Sequence, residues 1–122
     1  CYNLFEGGFM DILEIYNDNL KDVLHHNEWV ILDVYEEGDA LSELANVTIK
    51  NVLLNVSSVV KAFKIKLEEL KKAIEYENIN TLCYDGYPEI LLIRNSKLNV
   101  KIPSFSRVAK IVDILREKIP SL

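Results

Sequence analysis

Cysteine, glycine and proline are scarce in this sequence, and long apolar runs are missing. The 122 residues include two cysteines, four glycines and three prolines. The cysteines, Cys1 and Cys83, are too few for a disulfide framework or a cysteine-ligated zinc site, and no metal is expected. No apolar run approaches the roughly 18 residues that a membrane-spanning helix needs, so no membrane partner is expected either.

Positive charge is also in short supply. Lysine and arginine number 14 against 19 aspartates and glutamates, which gives a formal net charge of −5 and a pI near 5.0. A nucleic-acid-binding domain usually carries a basic face, so no nucleic-acid partner is expected. With 49% hydrophobic and 27% charged residues, the composition is ordinary for a soluble globular protein. A cytoplasmic location is expected, with a secreted or luminal one as the alternative for a domain of a longer chain.

The first ten residues, CYNLFEGGFM, do not look like a targeting segment. They lack the basic region followed by an apolar core that marks a signal peptide. We expect residues 1–10 to be a tail, or a remnant ahead of a natural start at Met10. Residues 11–122 are long enough for a single domain with a substantial core.

The stretch 28–36, EWVILDVYE, is the centre of the predicted fold. Val30, Ile31, Leu32 and Val34 form a short apolar run rich in β-branched residues, which predicts a strand buried on both faces. An open α/β sheet usually places its chemistry just beyond the carboxyl end of such a strand. Here residues 36–42 have the sequence EEGDALS, which indicates no particular reaction.

The segments around this strand predict alternating strands and helices. Residues 12–16 and 52–56 have strand patterns, and residues 94–97 form a hairpin turn between strands at 89–93 and 98–102. Helices are expected after Asn17 or Asp18, closing at His25, His26 and Asn27; after Asp39; from Ser57 or Ser58 to about residue 77; and after Ser106. The order is β-α-β-α-β-α-β-β-α, an α/β chain with parallel crossovers first and a hairpin later. The sheet is therefore predicted to be mixed, with helices on both faces.

Several segments resemble the thioredoxin fold. Trp29–Tyr35 resembles the central strand of thioredoxins, which commonly ends Val-Asp-Phe-Trp, and Asp33 falls where that family often carries a buried acid. Residues 54–56 (LNV) resemble the Val-Asn-Val-Asp element of its next strand. Residues 87–95 (YPEILLIRN) resemble its Ile-Pro-Thr-Leu-Leu-Leu-Phe-Lys-Asn segment, whose proline is cis. The resemblance runs from about residue 12 to 119 and implies a three-layer α/β/α fold.

The resemblance fails at the redox motif. The family's Cys-x-x-Cys should fall within about residues 37–42, where this sequence has no cysteine. Thiol exchange needs a low-pKa thiolate at a helix N-terminus and a second thiol to resolve the mixed disulfide. Ser42 is not an evident replacement, because no histidine or lysine near it in sequence offers a base. We therefore expect a redox-inactive domain with no cofactor and no catalytic residue, acting as a protein-binding, accessory or structural module.

The expected binding groove contains Tyr35, Asp39, Tyr84, Tyr87 and Pro88. Aromatic residues favour interfaces, although half-buried packing is their ordinary role. The resemblance implies a cis Tyr87-Pro88 bond that would turn a backbone edge toward an extended peptide. The partner is another protein or a second copy of the chain.

Two enzyme hypotheses stay open. Cys83 lies a few residues before Pro88 and would serve a single-thiol oxidoreductase, although Asp85 would raise its pKa. Carboxylates at strand ends can hold Mg²⁺, which would suit a metal-dependent hydrolase. Its candidate residues are Asp33, Glu36, Asp85 and Glu89.

Overall fold

The structure is a computed structural model that describes residues 12–56, 58–77, 79, 82 and 87–122. Within these residues the chain forms five strands and four helices in the predicted order β-α-β-α-β-α-β-β-α. They are β1 (Leu13–Glu14), α1 (Leu20–His26), β2 (Trp29–Tyr35), α2 (Ala40–Leu53), β3 (Val60–Lys66), α3 (Leu67–Tyr76), β4 (Glu89–Arg94), β5 (Lys97–Ile102) and α4 (Val108–Lys118). Among the described helices, none is long and apolar enough to cross a membrane.

The strands form one mixed sheet in the order β1-β3-β2-β4-β5. Strand β3 runs parallel to both β1 and β2, while β4 is antiparallel to β2 and to β5. Strand β2 lies at the centre, and its residues from Trp29 to Val34 are all buried. The prediction of a central, doubly buried strand is therefore confirmed. In the register, Asp33 lies opposite Lys64 of β3 and Ile90 of β4.

Alternate residues of β2 face two separate hydrophobic clusters. Trp29 and Ile31 pack with apolar residues of α2 and α4 on one face of the sheet. Val30, Leu32 and Val34 pack with residues of α1 and α3 on the other face. Because side chains alternate along a strand, one strand can serve both clusters. This arrangement confirms the predicted three-layer α/β/α architecture.

The prediction was wrong between residues 52 and 66. Val52 and Leu53 end α2 and a turn follows, so no strand occupies residues 52–56. The third strand is instead Val60–Lys66, which we expected to begin a long helix. The spacing of Val60, Phe63 and Leu67 suits a helix, but within the segment VKAFKIK the residues Val60, Phe63 and Ile65 also have high strand propensity. Val60–Lys66 forms a strand because it pairs with β1 on one side and β2 on the other. Residues 54–56, which resemble a strand of thioredoxins, therefore do not form the corresponding strand here.

Most other ends of helices and strands lie within one or two residues of the predicted positions. The hairpin turn lies at Asn95 and Ser96, whose φ angles of 50° and 67° suit the left-handed turns that join antiparallel strands tightly. Helix α1 has its N-cap at Asn19, and α4 has its N-cap at Arg107 instead of Ser106. The expected tail at residues 1–10 and most of residues 78–86 lie outside the described residues.

Candidate functional site

The carboxyl ends of β2 and β3 meet the N-terminus of α2 at one edge of the sheet. After β2, the chain turns through Gly38, whose φ of +80° is one that side-chain-bearing residues rarely adopt, and α2 begins at Ala40. A cleft of about 430 Å³ opens here between the ends of both strands and the first turns of α2. A neighbouring cleft of about 380 Å³ extends past Tyr35 to Leu67 and Lys71.

Asp39 closes the N-terminus of α2 through its own side chain. Its carboxylate accepts hydrogen bonds from the Ser42 backbone N–H at 3.0 Å and from the Ser42 hydroxyl at 2.9 Å. The Ser42 hydroxyl oxygen accepts in turn from the Glu36 N–H at 3.2 Å, and Ser42 is 2% exposed. The predicted capping role of Asp39 is thus confirmed. These contacts fix the Asp39 carboxylate at the N-terminus of α2.

Asp33 is a buried acid on the floor of the 430 Å³ cleft, as the resemblance implied. It is 1% exposed, and within the described part of the chain neither carboxylate oxygen has a hydrogen-bond partner. Burial raises the pKa of this carboxyl to about 6, while Asn46 and the positive charge of Lys64 act in the opposite direction. The Asn46 amide is therefore close enough to favour the charged form without meeting hydrogen-bond geometry. The carboxylate is costly to keep ionised in this position.

Tyr35 is held in place by charged neighbours. Its hydroxyl donates a hydrogen bond to the Glu14 carboxylate, and the Lys64 Nζ lies 5.9 Å from the centre of its ring. Burial first, and then the bond to Glu14, raise the pKa of the Tyr35 hydroxyl. Close by, Lys66 pairs with Glu37 at 2.6 Å in an exposed ion pair. Tyr35 therefore lines the cleft with a side chain that these contacts hold in position.

Exposed apolar side chains lie beside the clefts at the same edge of the sheet. Leu41, Tyr87 and Phe105 are 48%, 68% and 67% exposed, and we call these three residues the edge surface. The segments that carry Tyr87 and Phe105 are joined by the Ser104 hydroxyl, which donates to the Pro88 carbonyl at 3.4 Å. Two of the predicted groove residues, Tyr87 and Pro88, thus lie next to Phe105, which sequence reasoning missed.

The Tyr87-Pro88 bond is trans, which corrects the cis geometry expected from the resemblance. No peptide bond between described residues is cis. A trans bond is the default even before proline, by roughly 0.5–1 kcal/mol, unless the surrounding structure enforces the other isomer. The chain passes from Pro88 directly into β4 at Glu89. The structure therefore lacks the cis geometry that was expected to turn a backbone edge toward a peptide.

Of the residues named in the two enzyme hypotheses, Asp33 and Glu36 line the same cleft. Cys83, Tyr84 and Asp85 lie outside the described residues. Asp33 pairs with Ile90, whereas Glu89 pairs with Val34, so the two carboxylates belong to opposite faces of the sheet. In the described ranges, no group of three histidine, cysteine, aspartate or glutamate side chains could hold a metal ion.

Three side chains at the site were missed from the sequence. Lys64 was predicted to lie in the helix from Ser57 or Ser58 to about residue 77, and Asn46 was given no role at the site. The alternation of lysine with apolar residues in VKAFKIK was the signal that could have placed Lys64 on a strand. For Phe105, the signal was an aromatic residue in the polar segment after Pro103.

Comparison with known proteins finds similarity in structure alone. No protein-family model matches the sequence, and neither does any curated protein. A mutant thioredoxin from Halobacterium salinarum NRC-1 superposes with a TM-score of 0.67 at 14% identity, covering 91% of this chain and 93% of that chain. Chlamydomonas reinhardtii thioredoxin f2 gives 0.68 at 14% identity, covering 89% and 97%. The zinc-bound form of human ERp44 gives 0.65 at 13% identity, covering 89% of this chain and 30% of that one. The chain has a thioredoxin-like fold.

Proposed function

We propose that this thioredoxin-like chain is a redox-inactive module that binds a protein partner through the edge surface of Leu41, Tyr87 and Phe105. The observation that carries the proposal is the Asp39–Ser42 pair at the start of α2, where thiol chemistry would need its cysteines. A carboxylate satisfies the helix N-terminus there and disfavours a neighbouring thiolate. The contacts of Asp39 and Ser42 therefore support a chain without thiol chemistry at this position, and the exposed side chains nearby support a binding role.

Exposure of the edge surface supports the binding role. Single exposed apolar residues are common, but large apolar side chains gathered at one end of a sheet are typical of protein contacts. Tyr87 and Phe105 are each about two-thirds exposed and stand on segments held together by the Ser104–Pro88 hydrogen bond. Rigid aromatic side chains lose little conformational freedom on binding, so they make effective anchors.

The redox part of the proposal is tested by disulfide reduction. Wild-type protein is incubated with insulin and dithiothreitol, and insulin precipitation is followed beside the double variant Asp39→Cys/Ser42→Cys. We expect no acceleration by the wild type and a clear acceleration by the double variant, because the fold then presents a thiol pair at a helix N-terminus. Acceleration by the wild type that Cys83→Ser abolishes would instead support the single-thiol enzyme.

The binding part is tested on a partner isolated by cross-linking and then measured in purified form. We expect Tyr87→Ala and Phe105→Ala each to weaken binding by about tenfold or more, as loss of an aromatic anchor usually does. Tyr76→Ala is the matched control, since Tyr76 is 71% exposed at the end of α3. Circular dichroism confirms that the variants fold. Equal affinities for all four proteins would contradict the proposed surface.

A further inference from the structure

The 430 Å³ cleft contains a buried carboxylate, Asp33, that makes no hydrogen bond of normal geometry to any described residue. Asp33 lines the floor of the cleft, is 1% exposed, and has two oxygens without hydrogen-bond donors among the described residues. Buried polar groups are nearly always paired, so an orphaned pair of acceptors calls for an explanation. A ligand that supplies two hydrogen-bond donors would explain the two unpaired oxygens.

The charges around Asp33 favour a cationic ligand. Glu36 and Glu37 line the cleft from the turn after β2, and Glu43 lines it from α2. Asn46 of α2 adds a polar amide, and Lys64 of β3 is the single basic residue among those that line this cleft. Lys64 lies over the Tyr35 ring, and it makes no ion pair with Asp33 within the described contacts. The walls therefore carry an excess of negative charge.

We propose that this cleft binds a guanidinium group, with both oxygens of Asp33 accepting from its parallel N–H donors. A planar guanidinium matches a free carboxylate in bidentate fashion, and it is less costly to desolvate than an ammonium ion. Because both Asp33 oxygens are buried in the structure, binding requires a neighbouring side chain to shift, and the flexible Lys64 lines the same cleft. This site is distinct from the edge surface, and it does not depend on the proposed protein-binding role.

The guanidinium can belong to an arginine side chain within a polypeptide or to a free small molecule. The α-groups of the probe distinguish the two sources. Capped arginine carries neutral amides there, as an arginine within a polypeptide does, whereas free arginine carries an ammonium and a carboxylate that nearly cancel. We therefore expect capped arginine to bind at least as tightly as free arginine, and much tighter binding of free arginine would identify a small-molecule ligand.

The test is an NMR titration of the ¹⁵N-labelled 122-residue chain at pH 7.5. The probes are N-acetyl-arginine methylamide, L-arginine, and the capped forms of lysine and of citrulline, the neutral isostere of arginine. We expect saturable shifts at Gly38, at the Asn46 side-chain amide and at Lys64 with capped arginine. Weaker binding is expected for capped lysine and none for citrulline. Asp33→Asn should weaken capped-arginine binding by about tenfold or more.

Further variants separate this proposal from its rivals. Lys64→Gln should bind capped arginine as tightly as the wild type or more tightly, because an internal competitor for Asp33 is removed. Weaker binding by Lys64→Gln would overturn the proposal, because Lys64 would then help to hold the probe instead of competing with it. Phe105→Ala should bind capped arginine as the wild type does, whatever its effect on a protein partner. The proposal is overturned by non-saturable shifts, by equal binding of citrulline, or by unchanged affinity in Asp33→Asn.

Discussion

At the scale of single residues, Asp33 is an ionisable group whose folded environment favours its neutral form. Its pKa is raised from an ordinary 3.8 to about 6 by burial, against the opposing effects of Asn46 and Lys64. The folded chain therefore binds this proton more tightly than the unfolded chain does. The contribution of Asp33 to stability is favourable at low pH and is lost as the pH rises from about 4 to above 6.

This linkage predicts that Asp33→Asn stabilises the protein most at neutral pH. The advantage of the variant over the wild type should grow by roughly 2 kcal/mol between pH 4 and pH 7.5, at 1.36 kcal/mol per pKa unit. Urea unfolding of both proteins at each pH measures it. The comparison removes the effects of other carboxylates, such as Glu69, which titrate equally in both proteins. A difference that stays constant with pH would contradict the raised pKa.

A second prediction at this scale concerns Glu69, which joins α3 to the loop after β1. Its carboxylate accepts from the Asn17 backbone N–H at 2.9 Å and from the Asn17 side-chain amide at 2.7 Å. These bonds lower the pKa of Glu69, so its stabilising effect is lost as the pH falls. We expect Glu69→Ala to cost about 1–3 kcal/mol at pH 7 in urea unfolding.

Glu68→Ala is the control for Glu69. Glu68 also lies in the first turn of α3 but is exposed, so both substitutions remove the same favourable charge at the helix N-terminus. We expect the control to change the free energy of unfolding by no more than about 0.5 kcal/mol. Similar losses in the two variants would mean that the Asn17 bonds contribute little.

At the scale of elements, the N-terminus of α2 depends on one capping side chain. Asp39 satisfies the Ser42 N–H and orients the buried Ser42 hydroxyl, which supports the turn at Glu36. We predict that Asp39→Ala lowers the free energy of unfolding by about 1–2 kcal/mol, as loss of an N-cap usually does. Asp39→Asn should retain most of the stability, since asparagine caps as well as aspartate. Thermal unfolding measures both, and an equal loss in the two variants would mean that the charge and not the cap is needed.

Elements could be predicted from the sequence where several local patterns agree. In Trp29–Tyr35, apolar character and β-branching both indicate a buried strand, and at the hairpin a polar turn separates two apolar runs. Val60–Lys66 suits a helix or a strand, and only its two neighbouring strands settle the choice. The same ambiguity between helix and strand limited the prediction of the candidate site. Because Lys64 was placed on the wrong element, its position beside Asp33 could not be foreseen.

At the scale of the whole molecule, the central sheet is shared by two hydrophobic clusters. Ile49 of α2 belongs to one cluster and Leu70 of α3 to the other, and both are completely buried. Since β2 contributes residues to each face, loss of packing on one side weakens the support of the other. The two clusters should therefore unfold together.

This sharing predicts a single unfolding transition for both cavity variants. Ile49→Ala and Leu70→Ala should each cost about 2–5 kcal/mol, and each should still unfold in one step. Fluorescence of Trp29, the one tryptophan in the chain, and far-ultraviolet circular dichroism should give coincident curves. Separate transitions by the two probes would mean that the layers are independent.

The two borders of the sheet have a consequence for self-assembly. Among the described strands, β1 forms one border with only two residues, and β5 places Lys97 and Lys101 along the other. Very short outer strands and lysine side chains discourage another chain from docking as an additional strand. Templated, fibril-like growth is therefore disfavoured at these two strands, although nearly half of the residues in the chain are apolar.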